Sequence, residues 1–123
     1  MKKVLLIAVA LGAMTTGAYA DGDAAAGEKI FKKCMACHSI DKGAANKVGP
    51  NLNGVIGRAA ADGYTYSDAL KAWHDAGNKW DEATIAKWIN KPTSVVPGNK
   101  MAFPGLSDPA DIANVIAYIK SKS

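Results

Sequence analysis

An all-α domain is the fold class this sequence predicts, and three features predict it. Ile112, Val115, Ile116 and Ile119 recur at i, i+3, i+4 and i+7, the period of a buried helical face. Residues suited to helix capping stand just ahead of the apolar periodic segments, at Asp23, Ser67, Asp81 and Asp108. Few segments alternate with the two-residue period of a strand.

The first helix is expected from Asp23 to about Cys34. Gly27, Ile30, Phe31 and Cys34 fall three to four residues apart and mark its inner face. Glycine on an exposed helical face costs about 1 kcal/mol against alanine, so Gly27 makes sense where another helix crosses closely. A second helix, capped by Ser67, passes through Leu70 and Trp73. A third, capped by Asp81, contains Ile85, Trp88 and Ile89 and stops near Asn90, ahead of the helix-breaking Pro92. In the last helix Pro109 fits the first position, Asp111 complements the positive dipole end, and Lys120 and Lys122 suit the other end. Residues 42–57 and 91–106 read as loops rich in Gly and Pro. Loops of that length in a compact domain tend to be functional.

The 123-residue chain opens with a segment of different character. Lys2 and Lys3 precede an apolar run from Val4 to Gly12, and Ala18-Tyr19-Ala20 gives a small-x-small cleavage pattern, the layout of a secretory signal. The run is too short for a stable membrane span, which takes about 20 apolar residues. Residues 1–20 are therefore expected to be a cleaved signal peptide and residues 21–123 a single domain in the periplasm. Without Lys2 and Lys3 the chain holds 13 basic and 11 acidic residues, a net charge of only +2. With Arg58 as its only arginine, it lacks the basic stripe of a nucleic-acid binder.

Cys34-Met35-Ala36-Cys37-His38 is the chemically richest stretch. Two thiols three residues apart, followed by an imidazole, form the C-x-x-C-H attachment pattern of c-type haem. On a helical turn both sulfurs lie on one side, within reach of the two vinyl groups of one porphyrin, and the histidine supplies an axial bond to iron. A thiol-exchange pair should accompany a βαβ pattern, which this chain does not show. A zinc site wants four ligands, and His74 has no second ligand near it. Haem c, one copy and covalent, is the expected cofactor.

The other side of the iron decides the chemistry. Beyond the signal segment the only thioethers are Met35, trapped between the attached cysteines, and Met101, in a loop bracketed by Pro97-Gly98 and Pro104-Gly105. Met101 is thus the candidate second axial ligand, by exclusion. His74 is expected to face solvent from its helix.

These residues together resemble a small soluble class I cytochrome c of the mitochondrial and bacterial cytochrome c2 type, over essentially all of residues 21–123. The resemblance takes in Gly27 and Phe31, Cys34-x-x-Cys37-His38, Gly49-Pro50-Asn51-Leu52 and Gly57-Arg58. It continues through Tyr64-Thr65-Tyr66-Ser67, Trp80, Pro92, Pro97-Gly98-x-Lys100-Met101-x-Phe103 and Ile116-Ala117-Tyr118. It implies the cytochrome c fold, with first and last helices crossing where Gly27 and Phe31 meet Val115 and Tyr118. It implies thioethers at Cys34 and Cys37, and His38 and Met101 as axial ligands. Pro50 would offer its carbonyl to the His38 imidazole; Arg58, Tyr66 and Trp80 would hydrogen-bond the haem propionates. Trp88 replaces a usual tyrosine and Leu70 a usual asparagine, so the family's hydrogen bonding around Met101 does not carry over at those positions. Thr93 and Ser94 fall where lysines are frequent, which leaves Lys33, Lys47 and Lys100 as the rim expected to meet a partner.

The function so implied is a monomeric electron carrier rather than an enzyme. Its partners would be redox proteins such as a cytochrome bc complex and a terminal oxidase, a photosynthetic reaction centre or a periplasmic dehydrogenase. A peroxidase or sensor would need an open sixth position and a distal acid or base, and no such set is assembled in the sequence.

Overall fold

A computed structural model describes residues 22–59 and 64–123. The signal peptide expected over residues 1–20 lies outside the described residues. Five helices follow one another: α1 (Ala24–Phe31), α2 (Asp68–Asp75), α3 (Glu82–Asn90), α4 (Pro92–Val95) and α5 (Pro109–Ser121). Among the described residues no strand forms, and one isolated antiparallel bridge joins Ala59 to Lys79.

Each of the four expected caps is made. Asp23 accepts from the Ala25 N–H at 2.9 Å, Ser67 from Leu70 at 3.2 Å, Asp81 from Thr84 at 2.7 Å and Asp108 from Ala110 at 2.9 Å. Each satisfies a donor that has no partner inside the helix.

Two boundaries differ from the sequence reading. The first helix ends at Phe31 rather than near Cys34. Beyond it the donors shift from the fourth to the third preceding carbonyl, with Lys33 on Ile30 at 3.1 Å and Cys34 on Phe31 at 2.7 Å. That tightening is common at helix ends, and it gives the cysteines a turn of their own. The second difference is α4, a single helical turn inside the expected 91–106 loop. Pro92, which stops α3, is itself a favourable first helical residue, and the Val96 N–H closes the turn on its carbonyl at 3.0 Å.

Helices α1 and α5 make the most extensive helix contact, and α3 packs on both α4 and α5. Phe31 and Val115 are fully buried at this crossing, and the Phe31 ring lies 5.3 Å from that of Tyr118. Gly27 allows the approach, because a Cβ there would fall 1.8 Å from the Asn114 carbonyl oxygen on α5. The Asp23 N–H also reaches across to Asn114 Oδ1 at 2.9 Å. The second loop is tied to α3 from both sides: Leu106 N–H donates to the Ile89 carbonyl, and Asn90 Nδ2 donates to the Leu106 carbonyl.

Gly27→Ala is expected to destabilise the protein even though alanine is the better helix former. Overpacking costs about 1–3 kcal/mol, more than the propensity gain of ~1 kcal/mol, so the denaturant midpoint should fall. An unchanged or raised midpoint would show that α1 and α5 can separate at little cost.

The Asp81 cap gives a pH dependence of known sign. The Thr84 hydroxyl, and then the Thr84 N–H, hold the Asp81 carboxyl below its ordinary value. A depressed folded-state value contributes stability above the ordinary aspartate range and loses it as pH falls through the depressed value. The stability of wild type relative to Asp81→Asn should therefore decline in that acid window. Parallel melting curves across it would remove the carboxylate's role.

Candidate functional site

One cavity of about 430 Å³ occupies the middle of the domain, within the roughly 300–1,000 Å³ usual for cofactor sites. Cys34, Cys37, His38, Pro50, Arg58, Tyr66, Trp80 and Met101 all line it. Those eight residues come from widely separated parts of the chain, and the fold brings all of them together.

The turn after α1 presents the first three. Cys37 and His38 both donate their N–H to the Cys34 carbonyl, at 3.1 and 2.9 Å, which curls the segment so that its side chains converge. Cys34 is half-buried and Cys37 exposed, and neither is in a disulfide. Burial pushes the Cys34 thiol up, with Lys33 opposing only in part. Thiols that work by exchange have lowered values instead.

His38 is buried, and its Nδ1 lies 2.8 Å from the Pro50 carbonyl oxygen. A carbonyl can only accept, so Nδ1 carries the proton and the lone pair resides on Nε2, the tautomer suited to metal ligation. Burial pushes the imidazole below its ordinary value, against the Pro50 carbonyl, which favours the protonated ring. The neutral ring is the form a metal takes. Gly49 leaves room for this ring, since a Cβ at that position would sit 2.4 Å from His38 Cε1.

Arg58 sits on the wall of the cavity. Its Nη2 donates to the Asn51 carbonyl at 3.1 Å, while its Nε is buried with no hydrogen-bond partner among the described residues. A buried guanidinium N–H without an acceptor is costly. A cofactor carrying carboxylates would supply that acceptor, so the residues present fit haem with its propionates. Tyr66 and Trp80 are both buried on the same cavity.

Met101 reaches the cavity from the 97–105 loop. The sequence did not show what fixes it there. Asn99 Oδ1 accepts the Met101 N–H at 2.9 Å, and Asn99 Nδ2 donates to the Val96 carbonyl at 2.9 Å. An Asn two residues ahead of Met101, after Pro-Gly, was the available signal, because Asx side chains close turns on the backbone. Met35 is half-exposed. Leu70 and Trp88 line the same cavity as Met101, and the Trp88 ring meets Trp80 edge-on at 5.2 Å.

His74 does not simply face solvent. It is half-buried, and its Nδ1 is buried without a partner among the described residues, yet it does not line the cavity. Of the expected rim lysines, Lys33 and Lys100 line the cavity and are exposed. Lys47 stands outside it and donates to the Met35 carbonyl at 3.0 Å.

Residues 24–123 match the family model described as cytochrome c. The chain is 49% identical to cytochrome c-554 of Methylosinus trichosporium, over 97% of this chain and 92% of that protein. It is 53% identical to cytochrome c2 of Rhodoblastus acidophilus, over 80% of this chain and 91% of the other. Its structure superposes on that of cytochrome cH from Methylobacterium extorquens with a TM-score of 0.72 at 51% identity, covering 82% of this chain and all of that one. Sequence, fold and cavity agree, and the chain belongs to the cytochrome c family.

Proposed function

We propose that this cytochrome carries single electrons in the periplasm, with its haem fixed by thioethers at Cys34 and Cys37 and its iron held between His38 and Met101. The coarser part follows from family membership: the protein is a class I c-type cytochrome with one covalent haem c, and it transfers electrons rather than acting as an enzyme. The observation that carries the finer reading is the convergence of all eight candidate residues on a single cavity, with His38 already oriented by Pro50.

The roles follow from chemistry. Haem supplies the one-electron couple of its iron. With His38 and Met101 both holding the iron, no position would be left for a substrate, and the haem would supply only a one-electron change of valence. A thioether raises the potential relative to a second histidine, within a range of about 0.8 V set by axial choice. Arg58, Tyr66 and Trp80 are assigned to the propionates, which need donors inside a protein.

Exposed Lys33 and Lys100 on the cavity lining favour an acidic partner, met in a brief contact of small area. Redox proteins such as a cytochrome bc complex and a terminal oxidase, a reaction centre or a periplasmic dehydrogenase are the partners we favour. No helix among the described residues is long and apolar enough to cross a membrane. Export is assigned to residues 1–20 and their removal to cleavage after Ala20.

Two measurements test this reading. Holoprotein made with a periplasmic haem-attachment system should show the weak near-red Met-to-ferric-iron band and bind cyanide or carbon monoxide slowly. Met101→Ala should lose the band and bind both at once. A wild-type protein with no band and immediate binding has an open iron, and peroxidase or sensor chemistry becomes the better reading. Intact mass of the exported protein should equal residues 21–123 plus one haem; a mass retaining residues 1–20 removes the cleavage assignment.

A further inference from the structure

We propose that Asn51 is a positioning residue that fixes both the carbonyl orienting His38 and the guanidinium of Arg58. The proposal rests on His38 being an iron ligand, as argued above. Every hydrogen-bonding group of Asn51 is engaged. Its backbone N–H donates to Asn46 Oδ1 at 2.8 Å, and its carbonyl accepts from Arg58 Nη2 at 3.1 Å. Its side-chain amide donates to the Asp41 carbonyl at 3.0 Å and the Ala44 carbonyl at 2.8 Å, and its Oδ1 accepts the Asn53 N–H at 2.9 Å.

The residue ahead explains why this matters. Pro50 has no N–H, so it cannot tie its own peptide to the fold through a donor. Its carbonyl, 2.8 Å from His38 Nδ1, is held by its two neighbours instead. Gly49 donates to the Cys37 carbonyl at 2.7 Å on one side, and Asn51 anchors the other. That carbonyl belongs to the peptide that also contains the Asn51 N–H, so a rotation at Asn51 moves the acceptor of the imidazole directly.

The same residue reaches Arg58 through its carbonyl. Arg58 is thereby steered from one end while its Nε remains buried and unpartnered among the described residues, available to an anionic group. Asparagine suits this place because one planar amide offers two donors and an acceptor. Aspartate keeps the acceptor but loses both donors, and serine offers a single donor.

The experiment compares holoprotein variants by two readouts of the imidazole, with a destabilised control to separate them from loss of stability. One is solvent exchange of the His38 Nδ1–H, followed by NMR. The other is the pattern of haem methyl shifts in the ferric protein, which reports the plane of the axial imidazole. Asn51→Ala should speed the exchange by about three- to tenfold, the factor that one weakened hydrogen bond supports, and should rearrange the methyl pattern. Asp108→Ala, which removes the exposed cap of α5 and touches neither the crossing nor the cavity, should lower stability and leave both readouts unchanged. Asn51→Asp should follow Asn51→Ala, because the lost donors hold residues 41 and 44.

Wild-type exchange and methyl pattern in Asn51→Ala, with only the stability lowered, would overturn the proposal. Wild-type behaviour of Asn51→Asp would overturn the role given to the donors. Should Asn51→Ala yield no folded holoprotein, Asn51→Ser is read in its place against the same outcomes. Failure of the ligation reading shows elsewhere, as a wild-type protein without the near-red band.

Discussion

The placing of the haem-attachment turn depends on how closely α1 and α5 approach. Helix α1 is only eight residues long and could not persist alone in water. Its position is set by the fit of Gly27 against the Asn114 carbonyl and by Phe31 against Tyr118. The Phe31 carbonyl then receives the N–H groups of Cys34 and Met35, at 2.7 and 3.1 Å, so the ligand turn hangs directly from the end of α1. On the other side of the crossing, Ile119 of α5 lines the cavity. The crossing thus fixes the distance between the attachment turn and the opposite wall, and any separation at Gly27 is passed to Cys34 and His38.

The core and the cofactor site are built from the same side chains. Tyr66, Leu70, Trp80, Ile85, Ile89 and Ile119 are all buried core residues and all line the cavity. Helix α2 shows the consequence most clearly. It packs on no other helix, and its buried residue Leu70 turns to the cavity. Its Trp73 ring also lies at a tilt 4.8 Å from Trp80, and the Trp73 carbonyl accepts from Asn78 Nδ2 at 2.7 Å. An apolar prosthetic group therefore completes the surface on which α2 rests, as small domains commonly require. Local stability should be lowest in α2, since few protein contacts oppose its opening.

Signals confined to a few neighbouring residues were legible in the sequence. The caps at Asp23, Ser67, Asp81 and Asp108 combine a polar residue with the apolar period that follows, and both are local. The attachment motif is equally local, and the resemblance then reached Pro50, Arg58, Tyr66, Trp80 and Met101 in loops and short elements. Three features were not legible. The end of α1 was placed near Cys34 because apolar spacing continues through the turn, while the switch of hydrogen-bond partner leaves no mark in residue type. Helix α4 was hidden because Pro92 reads as a breaker from one side and as a first helical residue from the other. His74 was assigned to solvent because its burial depends on tertiary neighbours. The bonds of Asn51 and Asn99 were missed for a related reason: side chain-to-backbone ties in loops have no period, and Asn is common in turns that hold nothing.

The environment of Met101 can be argued from the same ties. Asn99 closes a turn on Met101 and binds the Val96 carbonyl, so backbone geometry sets where the thioether stands. Leu70 and the Trp88 ring, on the same cavity, offer largely apolar surface. A ferric haem carries one more positive charge than a ferrous one, and an apolar surround solvates that charge poorly. Under the proposed ligation, the soft thioether, an apolar wall and the cationic Arg58 would all act in one direction, toward the ferrous state. The Pro50 carbonyl would act in the other, because accepting a hydrogen bond from His38 Nδ1 makes the imidazole a better donor to a ferric iron. On the proposed reading the loop around Asn51 would govern the influence that runs through a hydrogen bond to His38, and it is anchored by side-chain amides rather than by helix. In this cytochrome the loops would then tune the iron, and the helices hold the loops in register.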